Sequence, residues 1–217
     1  MAWLEDHVIF GRKGEGKTAL GLYLMRTHPG GVLWHDPNGD LPVPEWAVAA
    51  GPEDPARVLG AALAGGAKIV FRAGDPPGGL DPRDPNAWLR RQAAVLCDLC
   101  RRARASLRFD ECHMVLGQGR PDPTVLDYAR RSRHFDGDLG AMSTNPQAVD
   151  NSLMYVGGTL YLFDAPGAAP WLRHYGHDAE QVAERLRAGG PHSFVRVTAG
   201  DVAGPYRLER DQLDATT

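Results

Sequence analysis

The chain has 217 residues, 43% of them hydrophobic and 24% charged, enough for one domain with a substantial core. A formal net charge of −3 excludes a surface coated with nucleic-acid-binding charge. No apolar run is long enough to span a bilayer, and three cysteines, Cys97, Cys100 and Cys112, are too few and too odd in number for a disulfide framework.

Met1 to Asp6 has no basic start, and structured sequence follows at once, which predicts a chain without a secretion leader. His7-Val8-Ile9-Phe10 reads as a buried strand. Gly11-Arg12-Lys13-Gly14-Glu15-Gly16-Lys17-Thr18 then matches the phosphate-loop pattern G-x-x-x-x-G-K-[ST]. A glycine-rich turn opening a helix aims several backbone N–H groups at one point, and the helix N-terminus adds partial positive charge. Lys17 is expected to reach the β- and γ-phosphates of a bound ATP, and the Thr18 hydroxyl to ligate Mg²⁺. Of 24 lysines and arginines, all but Lys13, Lys17 and Lys68 are arginine. A compact ammonium is retained where it must sit among phosphates. The helix after the loop is expected over residues 18–25.

Val32 to His35 is a second strand, closed by Asp36-Pro37-Asn38-Gly39. Asp36 stands either near the nucleotide or only as the cap of that turn. Asp54-Pro55 opens a helix through Leu59 and Leu63 to Gly65-Gly66. Lys68 to Phe71 is the third strand, and residues 73–86 read as a long exposed loop. Ala87 to Ala103 is an amphipathic helix with Leu89, Ala93, Leu96, Cys100 and Ala103 on one face. Cys97, Cys100 and Cys112-His113 have the residue types of a zinc site, but two of the cysteines lie on this helix, so buried thiols are the expectation. Ser106 to Phe109 is the fourth strand. Asp122-Pro123 caps a helix toward Arg133, Leu139 to Ser143 is a fifth strand and Gly158 to Phe163 a sixth. A helix from Asp178 to Ala188 precedes a strand over Ser193–Val197, paired with one over Pro205–Leu208. The alternation predicts a single α/β domain over residues 1–217. Its sheet is mostly parallel and flanked by helices, with antiparallel C-terminal edge strands.

Two further elements carry chemistry. Leu107-Arg108-Phe109-Asp110-Glu111 reads as a Walker B segment, in which Asp110 holds Mg²⁺ and Glu111 polarises the attacking water. Arg108 occupies a strand position that is usually apolar, which places it against a helix gap or at an edge. Ser143-Thr144-Asn145-Pro146 ends the next strand. In P-loop ATPases with a catalytic Glu, the RecA-like class, such a strand lies between the phosphate-loop and Walker B strands. Thr144 and Asn145 are then the candidates for a sensor touching the γ-phosphate or the water.

The succession of Gly11–Thr18, Asp110-Glu111-Cys112-His113, Arg131-Ser132-Arg133-His134-Phe135 and Ser143-Thr144-Asn145-Pro146 resembles the FtsK–HerA superfamily of DNA-pumping ATPases over residues 7–165. The compact chain is most similar to the genome-packaging ATPases of tailless icosahedral viruses. Thr144 stands where the sensor Gln is usual. The resemblance implies a ring, expected to be a hexamer, that translocates double-stranded DNA. It implies ATP bound between subunits and an arginine finger from the neighbour, with Arg130, Arg131 and Arg133 as candidates and Arg133 preferred. It also implies a channel in which Arg120 contacts DNA, and a capsid-vertex or internal membrane protein as partner. The expected location is the host cytoplasm or the virion's packaging vertex.

Two rivals differ in class. A GTPase fits Asp36-Pro37-Asn38-Gly39 as D-x-x-G, but no Asn-Lys-x-Asp segment exists. A small-molecule or nucleotide kinase fits the size, but such kinases usually lack a Glu directly after the Walker B Asp.

Overall fold

The computed structural model describes residues 5–54, 56–118, 122–156 and 158–209. Among the described residues nine strands form one sheet: β1 (His7–Phe10), β2 (Val32–Asp36), β3 (Val48–Ala50), β4 (Lys68–Arg72), β5 (Ser106–Phe109), β6 (Leu139–Ser143), β7 (Thr159–Leu162), β8 (Phe194–Thr198) and β9 (Asp201–Tyr206). The α-helices among the described residues are α1 (Lys17–Thr27), α2 (Ala56–Ala64), α3 (Ala87–Ala103), α4 (Pro123–Arg131), α5 (Ala169–His174) and α6 (Ala179–Gly189). The strand order is β3-β4-β2-β5-β6-β1-β7-β8-β9. Pairing is parallel from β3 through β7 and antiparallel from β7 to β8 and β9. β6 therefore lies between β1 and β5, as the catalytic-Glu arrangement requires. The expected parallel α/β sheet with an antiparallel C-terminal edge is the observed one.

Burial on both faces explains why the central strands read as continuous apolar runs rather than alternating ones. On one face Ile9, Trp34, Val70 and Met142 pack beneath α1. On the other, Phe10, Leu107, Phe109 and Leu162 meet the buried stripes of the remaining helices. Gly21 lets α1 lie directly on Trp34 and Met142, since a Cβ there would collide with both side chains. The predicted apolar face of α3 is buried throughout, and Cys97, Cys100 and Cys112 are buried free thiols. Asp122 and Asp178 cap their helices as expected. Asp122 accepts the Thr124 N–H at 2.8 Å, and Asp178 the Glu180 N–H at 2.7 Å.

Four expectations need correction. β3 was not foreseen; it is a three-residue edge strand paired to β4. α5 was not foreseen either, its Ala-Ala-Pro start offering no polar cap. β9 begins at Asp201 rather than Pro205, because Thr198 pairs with Asp201 across the two-residue turn Ala199-Gly200. Arg108 sits at neither an edge nor a helix gap. It lies in the sheet interior at 4% exposure, and its guanidinium pairs with the buried Asp138 carboxylate.

That pair belongs to a polar layer under the sheet's strand-N-terminal end. Asp6 accepts the Leu139 N–H at 2.7 Å and the Ser132 hydroxyl at 3.1 Å. The Ser106 hydroxyl lies 3.0 Å from His28 Nε2, which in turn stands 3.5 Å from Asp138. Buried charges persist only where partnered. Here Arg108 and His28 hold Asp138 well below the usual carboxylate range against the opposing effect of burial.

Candidate active site

The site lies along the C-terminal ends of β1, β5 and β6, where loops leaving parallel strands converge. Residues 11–16 turn tightly after β1. Gly14 and Gly16 have φ of 86° and 105°, in the left-handed region that favours glycine. Gly11 permits a different contact: a Cβ there would stand 2.7 Å from the Phe163 Cβ. Phe163, 1% exposed, is the floor of the loop. Arg12 donates its N–H to the Asp164 carbonyl at 3.2 Å, and the exposed Arg12 and Asp164 side chains pair at 3.4 Å. The loop is thus tied to the end of β7. Lys13 and Gly14 are exposed, and Glu15 and Thr18 are half-buried.

Lys17 opens α1 at 7% exposure and donates from Nζ to the Arg12 carbonyl at 3.2 Å. Burial lowers its pKa, and the negative charges of Glu111, Asp110 and Glu15 oppose that shift. Because β1, β6 and β5 run parallel, residues 11–17 and the acids Asp110 and Glu111 leave the same end of the sheet, within electrostatic reach of one another.

Asp110 follows β5 at 9% exposure, its N–H donating to the His35 carbonyl at 3.0 Å. Burial first, then the charges of Glu111 and Asp36, push its pKa up to about 7 against the pull of Lys17. A carboxylate so poised among acids is suited to a cation. Asp36, Asp40 and Asp110 each present a carboxylate oxygen within 4.8 Å of the others, an all-oxygen donor set that fits Mg²⁺. Asp36 also caps its turn, accepting the N–H groups of Asn38, Gly39 and Leu41 at 2.9–3.2 Å. Asp36 therefore caps its turn and also stands beside Asp110. Asp40 was not read from the sequence.

Glu111 adopts φ 39° and ψ 51°, the left-handed region, which is uncommon for a residue with a side chain and concentrates at functional positions. Its Oε2 accepts the Thr144 N–H at 3.2 Å and the Thr144 hydroxyl at 3.1 Å. His113 Nδ1 stands 3.3 Å from the same oxygen and 3.1 Å from the Ser143 hydroxyl. Burial raises the Glu111 pKa, but the His113 and Thr144 hydrogen bonds outweigh it and leave the carboxyl below its ordinary value. Thr144, one of the two sensor candidates, thus sits directly beside the Glu111 carboxylate. Asn145 is exposed, with its N–H donating to the Ser143 hydroxyl at 3.0 Å. Sequence reading assigned no contact of His113 with Glu111, nor of Ser143 with His113. The Asp-Glu-Cys-His run placed His113 nearby, but its contacts depend on how β5 and β6 pair.

The remaining candidates lie elsewhere. Arg130 and Arg131 are exposed at the end of α4, and Arg131 pairs with Asp127 at 2.9 Å. Ser132 beside them contacts Asp6, so this segment sits at the strand-N-terminal end, away from its own phosphate loop. The side chain of Arg133 and the whole of Arg120 lie outside the described residues.

No protein-family model and no curated protein matches this sequence. Solved structures do match, and with the site they define the class: the chain has the α/β fold of P-loop ATPases. The genome-packaging NTPase B204 of Sulfolobus turreted icosahedral virus 2, in complex with ATPγS, is similar at 12% identity and TM-score 0.70, over 96% of this chain and 100% of that one. B204 of Sulfolobus turreted icosahedral virus, described as its DNA-packaging ATPase, matches at 12% identity and TM-score 0.66 over the same shares. VirB4 of Thermoanaerobacter pseudethanolicus matches at 11% identity and TM-score 0.63, over 96% of this chain and 90% of that one. At such identities the likeness is one of fold.

Proposed function

We propose that this chain is an Mg²⁺-dependent ATPase that translocates double-stranded DNA and packages a viral genome into a preformed capsid. One observation carries the enzymatic part. Lys17 and the Glu111–Thr144 pair, more than ninety residues apart in sequence, stand at the same end of the parallel sheet and within electrostatic reach of one another. In this reading residues 11–18 bind the phosphates and Lys17 neutralises the β- and γ-oxygens. Thr18 and Asp110, with Asp36 and Asp40 alongside, would hold Mg²⁺, which would neutralise phosphate charge there. Glu111 accepts the proton of the attacking water, and Thr144 fixes the carboxylate where the water must stand. Glu111 directly after Asp110 favours hydrolysis over transfer to a small-molecule acceptor.

The motor part draws support from the nearly end-to-end fold likeness to proteins named as packaging ATPases. Arg130, Arg131 and Arg133 follow a segment remote from this chain's own loop, so a finger drawn from them acts on a neighbour's nucleotide in a ring, taken as a hexamer. Arg120 is proposed to line the channel. Repetition around the ring would let a chain of net charge −3 grip DNA through local cations. Among the described residues no helix is long and apolar enough to cross a membrane. The proposed workplace is the host cytoplasm or the packaging vertex, against a capsid or internal membrane protein.

ATPase rate against protein concentration, with and without double-stranded DNA, tests this reading. A motor that assembles on its track gives a steep rise with concentration that DNA enhances. A flat, DNA-independent rate with phosphorylation of an added nucleoside would promote the kinase instead.

A further inference from the structure

The Glu111 carboxylate is held by one of its two oxygens. Among the described residues its hydrogen bonds all enter Oε2, from the Thr144 N–H at 3.2 Å, the Thr144 hydroxyl at 3.1 Å and His113 Nδ1 at 3.3 Å. We infer that His113 is a positioning residue for hydrolysis: its Nδ1–H, steadied by Ser143, helps fix Oε2 so that Oε1 of Glu111 takes the proton of the attacking water. The inference rests on the ATPase reading above and names a further residue of that site.

The backbone is what lets the two side chains meet. Two residues apart on a regular helix, Glu111 and His113 would point away from one another. Here Glu111 is left-handed, and a single 3₁₀ turn over Cys112–Met114 follows it. That turn is pinned at both ends. The Met114 N–H donates to the Glu111 carbonyl at 2.9 Å, and the Leu116 N–H to the Cys112 carbonyl at 2.7 Å, around a Cys112 side chain with no exposure. Strained backbone persists where its surroundings over-determine it. In this turn the strained residue carries the carboxylate, and the strain sets an imidazole against it.

The neighbours of Nδ1 decide which ring nitrogen carries the proton. A carboxylate oxygen only accepts, so Nδ1 donates to Oε2. The Ser143 hydroxyl stands 3.1 Å from Nδ1 on another side. It accepts the Asn145 N–H at 3.0 Å and gives its own proton to the Asn145 carbonyl at 3.2 Å. Ser143 therefore faces Nδ1 as a second acceptor, and the Nδ1–H form is the one this site selects. Oε2 thus receives three donors on about two lone pairs, whereas Oε1 keeps both of its own. In the hydrolytic step the water's proton passes to Oε1 as its oxygen bonds the γ-phosphorus and the bond to the β,γ-bridging oxygen breaks. In this assignment His113 touches neither water nor phosphate; it acts through Glu111.

The test measures kcat and, separately, the Kd for ATP on the full chain in the wild type and in His113→Ala, His113→Asn and His113→Gln. The His113 side chain is 30% exposed, so truncating it opens no core cavity, and urea unfolding checks that each variant folds. His113→Ala should lower kcat at least about tenfold and leave the Kd within about twofold. The Asn amide nitrogen takes the place of Nδ1 and should restore kcat to within about threefold of wild type. The Gln amide nitrogen takes the place of Nε2 and should leave kcat near the Ala value. Wild-type kcat in folded His113→Ala, or weaker ATP binding at constant kcat, would overturn the assignment. So would an Asn variant no faster than the Ala one, or a Gln variant as fast as the Asn one. Wild-type protein that hydrolyses no ATP, with or without double-stranded DNA, would instead bring down the ATPase reading beneath it.

Discussion

Thr144 spends both its N–H and its hydroxyl on one carboxylate oxygen of Glu111, and the proposed hydrolysis depends on that oxygen's direction. Thr144→Val keeps the N–H and the volume but removes the hydroxyl. We predict that kcat falls about tenfold with ATP affinity nearly unchanged, because the lost contact orients a group used in the transition state rather than in binding. Steady-state kinetics with a parallel ATP titration checks this; a changed affinity at constant kcat would assign Thr144 to binding. The phosphate loop, Asp110 and Glu111 were legible in the sequence because their spacing is local and their chemistry is tied to one residue type each. His113, Ser143 and Asp40 were not, since each gains meaning only from a neighbour on another strand.

At the level of elements, buried partners crossing the sheet decide stability. Arg108 on β5 and Asp138 before β6 neutralise one another with almost no solvent. Removing the cation leaves a buried charge unpaired, so Arg108→Met should cost about 3–5 kcal/mol. Arg108→Met/Asp138→Asn should recover at least half of that. Urea unfolding measures both, and equal losses in the single and double variants would contradict the pairing. The sequence read most helices and strands correctly because caps and apolar periodicity are local signals. β3 and α5 escaped because three and six residues carry too little periodicity. The Asp6–Ser132–Leu139 layer escaped because its members lie about 130 residues apart.

For the whole molecule, two buried imidazoles contribute to the loss of stability in acid. Burial, with Arg108 next, lowers His7 to about 3, and burial lowers His35 to about 4 against the help of Gln92. Folded values below the unfolded value of about 6.5 mean that the unfolded chain takes the protons first. Stability from each ring is therefore complete above that pH and falls as pH drops toward the folded value. Asp110, raised to about 7, contributes with the opposite sign, so the comparison is made against a variant that retains it. His35→Phe, stacked on Phe71 as the imidazole is, should lessen the slope of stability with pH by about 1.4 kcal/mol per unit between pH 6 and 4.5. Identical slopes in urea unfolding would show that His35 is not held neutral.

The account rests on one nucleotide being gripped from β1 and attacked from β5. Glu111→Gln tests this most directly, with ATP binding and single-turnover hydrolysis measured on the same preparation. The account predicts ATP affinity within about threefold of wild type and hydrolysis slowed at least about a hundredfold. Hydrolysis at the wild-type rate in that variant would contradict it.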